Sequence, residues 1–380
     1  MSQRIAIIHP EGNILYNSNL LGMVEILHEQ GYAVDIYCPK RNIAQQLSYP
    51  SVKIIFYNPL GFLLENLRVP KLIRGVVKVI DESFFFRKGF KADLIIGVDK
   101  DGIIIASKMA KAAKIPYALI SYEIFFERET SADFKRQEIE ACRDIVFAVC
   151  QDPVRSDKLV EENKIPLSKI INIPVAGRSA VKGQKGFALH DEVGLNHQKH
   201  IVLYMGASSE WSQLKALVES AQTWGEEWVL VIHPRYGMDK FMKELIRPYK
   251  DSKKVFVSLS RIDSCTELTP IIKSADIGVA LYQPSYASCY DGDNLKYLGL
   301  SSGKISAYLQ HGLPVIVNEI GLWSENVKTY QLGFVTDGSI HLPSLAELKG
   351  YEERSYQFFE DQLDLNKTII PLLSKLKEFI

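Results

Sequence analysis

Ser301-Ser302-Gly303-Lys304 stands directly before an apolar run that ends at Gly312, and a further apolar run begins at Leu313-Pro314. Serine is favoured at a helix start, where its oxygen accepts a hydrogen bond from an N–H two or three residues on. The N–H groups exposed at that end, joined by a lysine in the first turn, form a place for an anion. Ser302, Gly303 and Lys304 could therefore hold a diphosphate. The same residues also read as an ordinary capped helix with a glycine stop.

Two further loops could touch phosphate. Gly206-Ala207-Ser208-Ser209 follows an apolar run. Gly206 lets the backbone come close to a ligand, and Ser208 and Ser209 can donate hydrogen bonds. A plain strand-to-helix turn capped by either serine accounts for them equally. Arg235 follows the next run, in His233-Pro234-Arg235. Its planar fork matches oxyanion geometry, although a surface arginine would look the same. Tyr290-Asp291-Gly292-Asp293 contains two carboxylates in a D-x-D spacing. Its turn-forming composition explains it without a metal.

The segment from Lys304 to Ile316, K-x-x-x-Y-L-x-x-G-L-P-V-I, resembles the donor-binding segment of GT-B glycosyltransferases. The likeness is to bacterial enzymes that build surface polysaccharides or glycosylate proteins. It implies that Lys304 contacts the diphosphate of a UDP- or GDP-linked sugar, with Ser302 and Gly303 supporting the same charge. It implies that Asn294 and Tyr297 lie near the donor, and that Leu259 and Ser260 hold the nucleotide base through backbone groups. Retention of configuration is the expected outcome. The large retaining family of this fold carries two glutamates eight residues apart. The matching positions here are Gly299 and Ala307, so ribose contact must come from elsewhere.

With a sugar donor in the second half, the first half is expected to hold the acceptor. The acceptor-side residues are then His9, Gly12, Asn13, Ser121 and Tyr122. An acceptor hydroxyl loses a proton as the new bond forms, and a carboxylate can take it or stabilise a developing positive sugar. Glu123 is the first choice, because it ends an apolar run; Glu11 and Asp99 compete. Capping or salt-bridging explains each of the three as well, and Asp101 stands where a helix cap belongs.

These loops need elements to position them. Near-continuous apolar runs occur at Ile5–His9, Ala33–Cys38, Lys53–Tyr57, Asp93–Asp99, Pro116–Glu123, Asp144–Gln151 and Ile170–Val175. Strands buried on both faces look like this. Helical patterns such as Asn19–Gln30 and Asp101–Lys114 alternate with them. The pattern lapses over 177–199 and restarts with His200–Met205, Trp228–His233, Lys254–Ser260, Ile277–Tyr282 and Leu313–Asn318. The fold class expected is α/β, with two doubly wound, Rossmann-like parallel-sheet domains facing across a cleft. Residues 1–176 would form the acceptor domain, 177–199 a linker and 200–355 the nucleotide-sugar domain. Residues 356–380 would form a C-terminal helix that could pack back on the first domain, with Phe358, Phe359, Leu363, Leu365, Ile369 and Ile370 spaced for burial.

Composition narrows the function. The 380 residues carry 45 basic and 45 acidic side chains, so broad capture of nucleic acid is not expected. The five cysteines, Cys38, Cys142, Cys150, Cys265 and Cys289, are odd in number and form no C-x-x-C pair, which fits reduced thiols. MSQRIAIIHPEG does not read as a signal peptide, and no apolar stretch approaches the ~18 residues of a membrane span. A cytoplasmic enzyme is expected, with the inner membrane face as a further option. The run Arg68–Lys91 carries Arg68, Lys71, Arg74, Lys78, Arg87, Lys88 and Lys91 around Phe84-Phe85-Phe86. It could lie on an anionic membrane beside a glycan or lipid-linked glycan acceptor, or be a helix with a solvated basic face. No metal or cofactor is expected beyond the nucleotide sugar as co-substrate. A nucleotide-sugar epimerase and a degenerate glycan- or partner-binding module are the alternatives. An oxidoreductase is disfavoured, because no G-x-G-x-x-G follows Ile5–His9.

Overall fold

The apolar runs of the first half become strands β1 (Arg4–Ile8), β2 (Ala33–Cys38), β3 (Val52–Phe56), β4 (Leu94–Val98), β5 (Tyr117–Ile120), β6 (Ala148–Cys150) and β7 (Ile170–Asn172). In the computed structural model, which describes residues 3–40, 46–58, 70, 73, 76–77, 90–235, 237–338 and 340–380, they form one parallel sheet. Its order is β3-β2-β1-β4-β5-β6-β7. Every residue of β2, β4, β5 and β6 is buried, as expected of strands covered on both faces.

The order of this sheet reverses between β1 and β4. The loops that leave β1, β4 and β5 therefore emerge side by side at one edge, where open α/β sheets bind ligands. The helix Asp99–Ala113 starts immediately after β4. It approaches the sheet closely at Gly102, where a Cβ would stand 2.8 Å from the Ile8 carbonyl oxygen.

The second half gives β8 (His200–Gly206), β9 (Trp228–Pro234), β10 (Val255–Val257), β11 (Ile277–Ala280), β12 (Val315–Asn318) and β13 (Gly333–Thr336). Their order is β10-β9-β8-β11-β12-β13, again all parallel. Along β8, Ile201, Leu203 and Met205 enter one apolar cluster, while Val202 and Tyr204 enter another. Both faces are covered, and full burial of a side chain such as Leu203 contributes about 1.5–3 kcal/mol.

The helix Gly303–Gln310 lies between β11 and β12 in the chain and is fixed to the sheet by Tyr308. This fully buried ring lies against Gly278 of β11, where a Cβ would fall 2.4 Å from it. Its hydroxyl accepts from Met205 N at 3.0 Å and donates to Leu203 O at 3.0 Å.

The chain divides into two compact units, one of residues Met1–Ile173 with Thr368–Ile380, the other of Pro174–Lys367. The segment 177–199, read from composition as a linker, holds a helix, Ala188–Val193, whose Leu189 and His190 are buried, and it packs within the second unit. The apolar residues near the C-terminus behave as their spacing suggests except Ile370, which is 56% exposed. All five cysteines are free thiols. Among the described residues, no helix is long and apolar enough to cross a membrane.

Candidate functional site

In the second unit, Ser302 caps the helix Gly303–Gln310: its Oγ accepts from Ile305 N at 3.3 Å. The same oxygen lies 2.6 Å from the Tyr282 hydroxyl. Lys304, one residue into the helix, reaches back towards β8. Its ammonium lies 4.1 Å from the Tyr204 ring centre and 5.4 Å from that of Tyr282. A Cβ on Gly206 would stand 3.1 Å from Lys304 Cε. Lys304 Nζ is buried and has no hydrogen-bond partner among the described residues. Burial alone pulls its pKa from 10.5 down to about 7. Two aromatic faces give an ammonium only part of what water gives it, so an anion arriving here meets an uncompensated donor.

The glycine at 206 has φ +127°, a backbone setting that side chains rarely adopt. Its carbonyl accepts from Arg235 N at 3.2 Å, which places the exposed Arg235 beside this loop. Ser208 donates its hydroxyl proton to Asp239, whose other oxygen caps the helix Lys240–Ile246. Ser209 heads the turn Glu210–Ser212, with its N–H 3.4 Å from Ser212 Oγ. Both serines thus shape the loop. Trp211 from the same loop stacks on Tyr282 with ring centres 5.7 Å apart. Asn294 is buried and donates to Tyr290 O at 3.4 Å, while Tyr297 is partly buried with Lys296 Nζ 5.3 Å from its ring centre.

At Leu259 and Ser260 the structure adds a residue that the sequence did not single out. Both backbone N–H groups donate to Glu192 Oε1, at 2.7 and 2.9 Å. Ser258 Oγ donates to Glu192 Oε2 at 2.7 Å. Partial burial pushes the Glu192 pKa up, but the hydrogen bonds from Ser258, Ser260 and Leu259 outweigh it, so the net shift is downward. His233 Nδ1 lies 3.0 Å from Ser258 Oγ. The serine spends its one proton on Glu192, so the histidine must be the donor there.

The D-x-D carboxylates serve their own loop. Asp291 accepts from Ser288 N at 2.6 Å, and Asp293 accepts from the Tyr286 hydroxyl at 3.2 Å. Among the described residues, no group of three or more His, Cys, Asp or Glu side chains is placed to hold a metal ion.

In the first unit, the three candidate carboxylates fall together. Asp99 follows β4 in a left-handed conformation, φ +54°, which Asp tolerates better than most residues. One of its oxygens accepts from Tyr122 N at 2.6 Å and from Glu123 N at 2.9 Å, joining the loops after β4 and β5. Burial first, then the charges of Glu123 and Glu11, raise its pKa well above the ordinary 3.8. Glu11 accepts from Asn13 at 2.9 Å, and Asn13 Oδ1 lies 3.0 Å from His9 Nε2. Gly12 turns the loop with φ +65°. Ser121 Oγ donates to the Glu123 carbonyl at 3.1 Å, and the Tyr122 hydroxyl donates to Asn19 at 3.0 Å. Asp101, expected to cap, lies in the first helical turn, exposed, where it favours the helix dipole instead.

Buried Arg155 was not singled out from sequence, because its partners are remote in the chain. It donates to Tyr122 O at 2.8 Å and to Gln151 Oε1 at 2.7 Å, and Gln151 donates to Ser121 O at 2.6 Å. The loop carrying Glu123 is therefore clamped from behind. Of the basic run Arg68–Lys91, the residues Arg68, Lys71, Arg74, Lys78, Phe84, Phe85, Phe86, Arg87 and Lys88 lie outside the described residues.

No protein-family model and no curated protein matches this sequence. Solved structures do. Anabaena HepE, in a complex with UDP and glucose, aligns at TM-score 0.69 and 12% identity, covering 99% of this chain and 100% of its own. A glycosyltransferase from Rickettsia africae aligns at TM-score 0.65 and 15% identity, covering 100% and 98%. Sucrose-phosphate synthase from Thermosynechococcus elongatus aligns at TM-score 0.60 and 15% identity, covering 99% and 94%. At such identities the likeness is one of fold. Two parallel sheets of seven and six strands, matched over nearly the whole chain by these enzymes, give the protein a GT-B fold.

Proposed function

We propose that this protein transfers a sugar from a nucleotide-diphosphate sugar to a hydroxyl of a glycan or lipid-linked glycan, in bacterial surface-polysaccharide synthesis. The observation that carries the proposal is the buried Lys304 ammonium, without a hydrogen-bond partner among the described residues, beside Gly206 and the capped helix start. A leaving diphosphate gains negative charge as the glycosidic bond breaks. An ammonium and helix N–H groups already aimed at it stabilise the transition state more than the ground state. With that charge met by Lys304, the reaction needs no metal, and Asp291 and Asp293 remain loop residues. Retention of configuration is the outcome we assign.

Glu123 is the carboxylate we place at the acceptor or the developing positive sugar, with Glu11 and Asp99 beside it. The Asp99 oxygen that holds the Tyr122 and Glu123 N–H groups is committed to the loop, so we assign Asp99 the positioning of that loop. The known functions of fold neighbours agree in kind: one is described as a lipopolysaccharide outer core galactosyltransferase. The basic run Arg68–Lys91 would bring the enzyme to an anionic membrane where a lipid-linked acceptor resides. Flotation with anionic vesicles checks this, and failure to bind removes it.

The main test is a thermal-shift series with UDP, GDP, ADP, CMP and TDP on the intact protein and on Lys304→Ala. A ligand that binds only the folded state raises the melting temperature. A shift with a nucleoside diphosphate that Lys304→Ala abolishes supports the donor site. No shift with any of them, from folded protein, overturns it and favours a non-catalytic module. Product analysis then separates transfer from epimerisation.

A further inference from the structure

Glu192 sits on the short helix Ala188–Val193, in a stretch whose sequence gives no hint of function, yet its carboxylate occupies the end of β10. The sheet register places it relative to the diphosphate position. Gly206 pairs with Pro234, and Val257 pairs with Ile232, so Leu259 lies level with Gly206 two strands away. Adjacent strands are about 4.8 Å apart, so the separation is roughly 10 Å. A nucleoside whose phosphates lie at Gly206 and Lys304 spans such a distance to the far edge of its base.

We infer that Glu192 selects the donor nucleobase, favouring bases with an exocyclic amino group over uracil and thymine. The inference rests on the donor site proposed above. A pyrimidine such as uracil offers two carbonyl oxygens and one N–H, and its O4 needs a donor from the protein. The N–H groups of Leu259 and Ser260 are two backbone donors at this edge, and Glu192 Oε1 consumes both. What this edge presents outward is a carboxylate. Its Oε2 accepts from Ser258 Oγ, and a carboxylate oxygen can accept a further bond. An amino group of cytosine, adenine or guanine supplies that donor. Uracil and thymine can offer this carboxylate only N3–H, and O2 and O4 on either side of it then face an acceptor and lose their water without replacement.

His233 and Ser258 make the arrangement directional. The His233 N–H donates to Ser258, whose hydroxyl then points its proton at Glu192. The carboxylate is thus held by the Ser258 hydroxyl and the Leu259 and Ser260 N–H groups, with the Ser260 hydroxyl acting on it as well, rather than swinging in solvent, and clearing it out of the way would break these bonds. A site built in this way discriminates by leaving the wrong partner's polar atom unsatisfied.

Cytosine and uracil differ at the amino position and little in size, which makes them the decisive pair. Isothermal titration of the intact protein with CDP, UDP, GDP and ADP should show CDP binding at least about tenfold tighter than UDP. In Glu192→Gln, a near-isosteric change that keeps an acceptor and adds a donor, the CDP-to-UDP ratio should fall towards one. In Glu192→Ala the freed Leu259 and Ser260 N–H groups should turn the ratio in favour of UDP. If the alanine variant does not fold, the glutamine variant decides. Wild-type protein that prefers UDP, or a ratio unmoved in Glu192→Gln, overturns this inference and leaves the donor site intact. Silence from all four nucleotides overturns the donor site and this inference together.

Discussion

The Lys304 ammonium lies 4.1 Å from the centre of the Tyr204 ring, on the strand that ends at Gly206. With burial holding its pKa at about 7 rather than 10.5, the unfolded chain keeps a proton between those values that the folded chain has lost. The Lys304 contribution to the stability of the unliganded protein should therefore grow with pH from about 7 to about 10.5, opposed above about pH 9 by buried Cys142, whose thiol burial keeps protonated in the folded chain. A diphosphate favours the charged ammonium, so binding should take up a proton above pH 7 and weaken by up to about tenfold per pH unit. Titration in buffers of different ionisation enthalpy measures the uptake. The stability difference between the parent and Lys304→Met should carry the first slope, and proton uptake on binding should vanish in the variant; a difference flat with pH, or uptake that persists, would assign the effect to another group.

Gly206→Ala should damage stability and binding together. The backbone at φ +127° disfavours any side chain, at a cost of about 1–3 kcal/mol. The new methyl would also press on Lys304 Cε at 3.1 Å and shift the ammonium. Urea denaturation reads the first effect and nucleotide titration the second. A variant that binds UDP or GDP as the parent does would show that the ammonium is not where the phosphate goes.

Asp99→Asn should be tolerated. Burial and the neighbouring Glu123 and Glu11 raise the Asp99 pKa, so the folded chain keeps a proton that the unfolded chain has released above pH 3.8. That proton makes stability fall as pH rises through this window. Asparagine is neutral throughout and can still accept from Tyr122 N and Glu123 N. Its melting temperature should match or exceed the parent's at pH 8, with a smaller difference at pH 4. A larger loss at pH 8 than at pH 4 would contradict this.

Gly278 and Tyr308 should be coupled. Gly278→Ala puts a Cβ 2.4 Å from the Tyr308 ring, an overpacking that costs about 1–3 kcal/mol. Tyr308→Leu strips the buried Met205 N–H of its acceptor, at a similar cost. The double variant should cost less than the sum, because the smaller side chain leaves room for the alanine. Additive losses in a denaturation cycle would mean that the two residues do not press on one another.

Much of the fold could be read from the chain because strands covered on both faces leave continuous apolar runs. Of the thirteen strands among the described residues, twelve were anticipated to within a few residues at their ends. β13 was missed: its four residues, Gly333–Thr336, are only partly buried at a sheet edge and leave no such run. The helix Ala188–Val193 was hidden by the glycines and lysines before it, although its Leu189 is fully buried. Lys304 was visible from its spacing after Ser302, but not the aromatic faces that desolvate it, since Tyr204 lies 100 residues earlier in the sequence. Glu192 and Arg155 have ordinary local surroundings, and only tertiary contacts reveal what they hold.

The hydrogen bonds that Asp99 accepts from the backbone of Tyr122 and Glu123 have a practical consequence for exchanging loops in the first unit. The turn after β4 and the turn after β5 are one part made from two stretches of chain. A chimaera that imports the second turn from a relative without its matching first turn would present backbone N–H groups to a residue unable to receive them. Exchange should succeed only when both turns travel together, with Arg155 kept as the fitting behind them.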